Sequence, residues 1–109
     1  MLEAFFGNNT VEKILFTLLI YGEGYALGMA KTFKASVNRI QQQLKRLENG
    51  GIISSRLIGK VRIYTFNPRY PFLKELQAFL IKAYEFIPER DKETYYRKRT
   101  RPRRAGKPL

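Results

Sequence analysis

Apolar positions in the first third of the chain recur at helical spacing. Val11, Ile14, Leu15, Leu18 and Leu19 fall on one face of a 3.6-residue period, and Asn9 with Glu12 three places on reads as a capping box, which predicts a first helix ending near Tyr21. The glycines of 22–28 predict a loop between helices, because they follow a helix rather than a strand and the third stands one place too late for a dinucleotide fingerprint. A short second helix is expected from Tyr25 to Phe33, with Tyr25, Leu27, Ala30 and Phe33 turned inward, then a tight turn at Lys34-Ala35. Ser36 can cap a third helix whose Val37, Ile40, Leu44 and Leu47 share a narrow arc, and Asn49-Gly50-Gly51 stops it. The period then changes from helical to alternating: 52–56 and 60–66 read as strands, with Gly59 in the turn between them. Pro68 and Pro71 end that hairpin, and 72–87 predicts a closing helix with a broad apolar set. The fold class that results is α+β, mostly α.

The third predicted helix carries the most informative polar face. Opposite its aliphatic arc lie Asn38, Arg39, Gln42, Lys45, Arg46 and Asn49. Asn and Gln can bond adenine bidentately and Arg can bond guanine or phosphate, so this face has the chemistry of major-groove readout; a plain solvated helix face is the ordinary alternative. Charge strengthens the first reading. Twenty-one Lys+Arg against nine Asp+Glu give a formal net charge of +12 over 109 residues, a field that draws polyanions. Nucleic acid is the expected partner, ahead of an anionic membrane.

With no Cys and no His, disulfides, thiolate or imidazole metal sites and Ser-His or Cys-His nucleophile pairs are excluded, so neither metal nor cofactor is expected. No phosphate-binding loop is present, since Gly59-Lys60 is followed by Val61, and the acids stand singly rather than in pairs; no enzyme activity is expected. The most apolar run, 14–21, is far shorter than the roughly 20 residues needed to span a bilayer, and no signal-peptide pattern opens the chain. A cytoplasmic protein is expected. Beyond Pro88 the composition shifts: nine basic residues against three acidic ones carry half of the net charge of +12. The expected division is therefore a domain over 1–87 and a basic, extended tail over 88–109.

The order helix, short helix, tight turn, polar helix ended by Gly, basic hairpin and closing helix resembles the winged helix-turn-helix domains of ArsR-like prokaryotic transcriptional regulators. FFGNNTVEKILFTLL is similar to the opening helix of that family, QLKRLENGGIISSRLIGKVRIYTFNP to the end of its recognition helix plus the wing, and YPFLKEL to the helix that returns after the wing. The resemblance covers roughly residues 2–87. It implies a winged helix-turn-helix with a C-terminal helix, to which this chain adds a basic tail. The Cys and His ligands of metal-sensing members have no counterpart here, which points to a non-metal-sensing subgroup, similar to domains found with nucleotidyltransferases. Lys34 and Ala35 stand where the family turn usually has Gly and Leu.

Together these readings lead to a sequence-preferring double-stranded DNA binder, a transcriptional regulator of the prokaryotic nucleoid. The helix at 36–49 would enter the major groove and the basic wing at 52–66 would lie beside it. Asn38, Arg39 and Gln42, near the start of that helix, are the expected base contacts, and Lys34, Lys45, Arg46, Arg56, Lys60 and Arg62 the expected backbone contacts. Arg97, Lys98, Arg99, Arg101, Arg103, Arg104 and Lys107 are the expected nucleic-acid contacts of the tail. The apolar surplus of the last helix predicts a homodimer through Phe72, Leu76, Phe79, Leu80 and Ala83. Two alternatives belong to other classes. One is a winged-helix interaction module that docks a separately encoded protein partner such as a nucleotidyltransferase. The other is a basic RNA-binding protein.

Overall fold

The computed structural model describes residues 1–97. Its elements are α1 (Glu3–Phe6), α2 (Asn9–Tyr21), α3 (Ala26–Phe33), α4 (Val37–Asn49), β1 (Ile53–Ile58), β2 (Val61–Phe66), α5 (Leu73–Tyr84) and α6 (Glu89–Tyr95). This is a mostly helical α+β fold whose helix-turn-helix is followed by a two-stranded antiparallel hairpin, the winged helix-turn-helix arrangement expected from the sequence.

Helix α2 is the centre of the core. Val11, Ile14, Leu15, Phe16 and Leu18 are all buried, so apolar side chains are covered on more than the one face the periodicity suggested. The additional cover comes from the C-terminal side: Phe16 meets the rings of Tyr84 and Tyr96 at 5.9 and 5.7 Å. The capping box shifts by one residue. Asn8, not Asn9, caps α2, its side-chain oxygen accepting the Val11 N–H at 2.9 Å. Glu12 is freed from capping and is buried, where its carboxylate accepts the Leu2 N–H at 2.7 Å and pairs with the Met1 amino group at 3.2 Å. That contact holds the chain ahead of α2, including the short helix α1 that the sequence reading did not contain.

Helix α3 buries Met29, Ala30 and Phe33, whereas Tyr25 and Leu27, expected inside, are 45% and 55% exposed. The helix starts only at Ala26, after Tyr25 as N-cap, so the inward arc is set by the later residues. Gly24 takes part in the sheet instead. It exchanges two backbone hydrogen bonds with Tyr64, at 3.0 and 2.8 Å, which ties the loop before α3 to the free edge of β2. A side chain at that position would strike the Met29 methyl, since a Cβ there would lie 2.7 Å from it.

The strands begin and end slightly off the expected ranges but keep the expected turn. Ile58 pairs with Val61, leaving Gly59 and Lys60 as a two-residue turn in which Gly59 adopts φ +62°, a conformation open to glycine at little cost. The closing helix is shorter than the expected 72–87, ending at Tyr84. Residues 88–97, expected as the start of an extended tail, form α6 and pack back on the body: Tyr96 is 5% exposed, and Tyr95 lies 5.2 Å from the Phe33 ring. The packed part of the chain therefore runs beyond residue 87.

Candidate nucleic-acid interface

The polar face of α4 is fixed by what lies beneath it. Ile40 and Leu44 are fully buried and Leu47 nearly so, and Ser36 caps the helix by accepting the Arg39 N–H at 3.3 Å. Val37, expected on the same inward arc, is 39% exposed because it stands in the first turn, beyond the reach of the core. With the aliphatic arc anchored, Asn38, Arg39, Gln42, Lys45 and Arg46 are all left exposed on the opposite side. Gln43, between the two arcs, accepts from the Arg46 guanidinium at 3.2 Å and from the Asn8 amide at 3.4 Å, linking α4 to the cap of α2.

The turn that aims α4 is built on Lys34. It is the one non-glycine with positive φ among the described residues, at φ 54° and ψ 44°, and the following Ala35 N–H returns to the Ala30 carbonyl at 2.9 Å. The αL geometry that a glycine would take easily is thus held by a lysine, whose ammonium stays exposed at the junction of α3 and α4. In αL a Cβ crowds the backbone at a cost of about 1 kcal/mol.

The wing stands beside α4 and is joined to it by side chains that sequence reasoning did not single out. Arg62 Nη1 donates to Ser55 Oγ at 3.0 Å, and that hydroxyl donates to Glu48 Oε2 at 2.7 Å. On the other side of the hairpin Arg56 pairs with Glu23 at 3.4 Å. The first connection depends on hairpin register and the second spans 33 positions, and both use common surface residue types, so no local pattern announces them. Between helix and wing lies a groove of about 660 Å³ lined in part by Leu27, Gln41, Lys45, Lys60, Arg62 and Tyr64. Burial raises the Tyr64 phenol above its ordinary value; the Glu48 charge adds to that shift and Arg62 opposes it. Arg56, Lys60 and Arg62 are all exposed. The groove brings Lys45 of α4 together with Lys60 and Arg62 of the wing; Asn38, Arg39, Gln42 and Arg46 are exposed along α4, Lys34 at its turn, and Arg56 on the opposite face of the hairpin. The tail residues Lys98, Arg99, Arg101, Arg103, Arg104 and Lys107 lie outside the described residues; Arg97 is exposed, and its carbonyl accepts from the Tyr21 hydroxyl at 2.8 Å.

The residues expected at a dimer interface separate into two groups. Leu80 and Ala83 are buried within the protomer, so they serve its own core and are not available to a second copy. Phe72 is 62% exposed, and Phe79 is half-buried beneath Phe5, which stacks on it at 4.9 Å. Phe86, within the expected closing helix but not among the five residues named for this role, is 68% exposed, and Phe5 is 70% exposed. Among the described residues no group of three or more metal-ligating side chains comes together, and no helix is long and apolar enough to cross a membrane.

No family model and no curated protein matches this chain. Among solved structures it is similar to Lactococcus lactis ZitR. A double mutant of that protein in apo form superposes with a TM-score of 0.53 at 17% identity, over 76% of this chain and 71% of the other. A single mutant gives a TM-score of 0.50 at 18% identity, over 79% and 66%. At such identities the likeness is one of fold.

Proposed function

We propose that the chain is a sequence-preferring double-stranded DNA-binding protein that acts as a transcriptional regulator, with α4 in the major groove and the β1–β2 wing along the flanking backbone. The observation that carries this reading is the exposure of Asn38, Arg39, Gln42, Lys45 and Arg46 on one face of a helix whose other face is locked into the core, with Lys60 and Arg62 of the wing across the groove from it. Asn38, Arg39 and Gln42 read base edges from the start of the helix. Lys34, Lys45, Arg46 and the wing cations hold phosphates. The resemblance to ArsR-like regulators supports the same assignment, and the absence of Cys and His from the sequence sets it apart from the metal-sensing members.

A second copy of the chain is the partner that fits the exposed phenylalanines. Phe72 and Phe86 stand exposed at the two ends of α5, and Phe5 of α1 is exposed where it covers half-buried Phe79 between them in sequence. A two-fold dimer through these rings would present two α4 helices to one duplex.

The test is selection of bound duplexes from a random library, followed by titration of the recovered sequence and a scrambled one. A defined motif is expected, and Arg39→Ala or Gln42→Ala should lose about 1–3 kcal/mol of discrimination at one base position. If no duplex is enriched, or if both variants recover the parent motif unchanged, α4 is not the reader.

A further inference from the structure

The wing ends in a tip that is apolar on both faces. Ile58 is paired with Val61 and Leu57 with Arg62, and because successive side chains of a strand point to opposite faces, Leu57 lies on one side of the tip and Ile58 and Val61 on the other. These three are 60%, 54% and 42% exposed, so the fold draws little from them. Exposed aliphatics at the end of a short hairpin invite unwanted association, and a wing that only followed a phosphate backbone would do better with polar residues there. Cations are interleaved with them: Lys60 sits in the turn, and Arg56 and Arg62 stand directly behind, all exposed.

The base of the hairpin is braced. The Arg62–Ser55–Glu48 chain fastens it to α4, the Arg56–Glu23 pair and the Gly24–Tyr64 bridge fasten it to the loop before α3, and the two-residue turn keeps the tip short. A stiff hairpin that carries aliphatics ahead and cations behind has the parts of an intercalating wedge. The cations neutralise phosphates on either side of a groove while the aliphatics enter between base pairs that have opened.

Resting on the DNA-binding reading above, we propose that the wing tip is a minor-groove wedge: Ile58, with Val61 beside it on the same face, enters an unstacked base step and kinks the duplex, Leu57 on the other face lies against the groove wall, and Lys60 and Arg62 meet the adjoining phosphates. The interleaved positive charge favours this occupant over an apolar protein surface. The wedge would also add a preference for steps that unstack easily, such as TA, at positions that α4 does not touch.

The experiment uses the full chain and a duplex recovered from the random library, end-labelled for energy transfer and carrying 2-aminopurine at the step beneath the wing. With the unaltered protein the ends should approach as for a bend of about 20–90°, with 2-aminopurine emission rising as stacking is lost. The double variant Leu57→Ser, Ile58→Ser should keep the thermal unfolding of the parent, since both side chains are exposed. It should select the same α4-directed motif but leave the duplex straight, with affinity lowered about tenfold. A bound but straight duplex with the unaltered protein, or equal bending by the variant, overturns the wedge while leaving the DNA-binding reading in place. Failure to enrich any duplex overturns both. A parallel arm measures sedimentation with phosphatidylserine–phosphatidylcholine vesicles; vesicle binding that depends on Leu57 and Ile58, together with a straight duplex, would assign the tip to a lipid surface instead.

Discussion

Lys34 shows how one residue can serve two demands that pull in opposite directions. Its backbone is held in the left-handed region at φ 54°, where glycine is at ease, yet its ammonium is exposed at the turn that leads into α4. Lys34→Gly should therefore raise stability by about 1 kcal/mol in denaturant unfolding, by relieving the Cβ crowding, and at the same time weaken duplex binding through loss of a phosphate contact. A variant that gains stability and keeps full affinity would remove Lys34 from the interface. Tyr96 ties stability to pH through its buried hydroxyl. Burial, then the charges of Glu12 and Asp91, push its phenol well above the ordinary value of 10. A folded-state pKa that is raised means the unfolded chain loses this proton first as pH rises, so the folded state holds more protons above pH 10. The stability that depends on Tyr96 is thus fully present below pH 10 and declines above it. Thermal unfolding followed from pH 8 to about 11 should show a steep loss that Tyr96→Phe makes shallower; equal slopes for the two proteins would contradict the burial of that hydroxyl.

At the scale of elements, the sequence was most legible where a local rule and the tertiary packing agree. Ile40, Leu44 and Leu47 mark the inner face of α4 and are buried there, Ser36 caps it, and Gly59 makes the wing turn. The expectation failed where the packing partner lay far along the chain. Tyr25 and Leu27 satisfied a helical arc on paper, but Tyr25 is only the N-cap and Leu27 lies in the first turn, off the arc that Met29, Ala30 and Phe33 turn inward, so both are exposed. The stretch after Pro88 is so rich in charge that it reads as tail, although Tyr95 and Tyr96 in its midst supply a ring cluster with Phe16, Phe33 and Tyr84. Composition averaged over 22 positions hid two aromatic anchors. The exposed face of α4 was legible in full, whereas the Glu48–Ser55–Arg62 connection that fixes the wing against it was not, because it depends on hairpin register and helix orientation together. It follows that a chain cut after Ile87 should be much less stable than one cut after Arg97. Removing Tyr96 alone uncovers Phe16 and deletes a buried ring, worth at least about 3 kcal/mol by the usual cost of emptying an aromatic site. Comparable melting of the two truncations would show that α6 is only loosely held.

For the molecule as a whole, the exposed phenylalanines belong to α1 and the two ends of α5, away in sequence from the cations of α4 and the wing. The exposed phenylalanines of α1 and of the two ends of α5 predict a dimer mass by sedimentation at tens of micromolar, and Phe72→Asp with Phe86→Asp should convert it to a monomer without loss of the fold, since both rings are exposed. A monomer mass for the parent protein would refute the interface. The charge leads to the final prediction. Net charge is +12, and Lys98, Arg99, Arg101, Arg103, Arg104 and Lys107 follow the last described residue without an acid among them. We propose that these cations add phosphate contacts of no sequence preference to those made by α4 and the wing. Each phosphate neutralised releases bound counterions, so the slope of log affinity against log salt should be steep and should scale with the number of contacts, roughly −0.9 for each. A chain ending at Arg97 keeps Tyr96 in the core and the Tyr21 bond to the Arg97 carbonyl, so its unfolding transition should match that of the full chain. It should select the same motif, bind all duplexes about tenfold or more weakly at physiological salt, and give a shallower slope. Titrating both forms against selected and scrambled duplexes between about 50 and 200 mM salt separates the contributions. Equal affinity and equal slope would mean that these cations meet something other than DNA, while a loss confined to the selected duplex would make them readers of sequence rather than a general anchor.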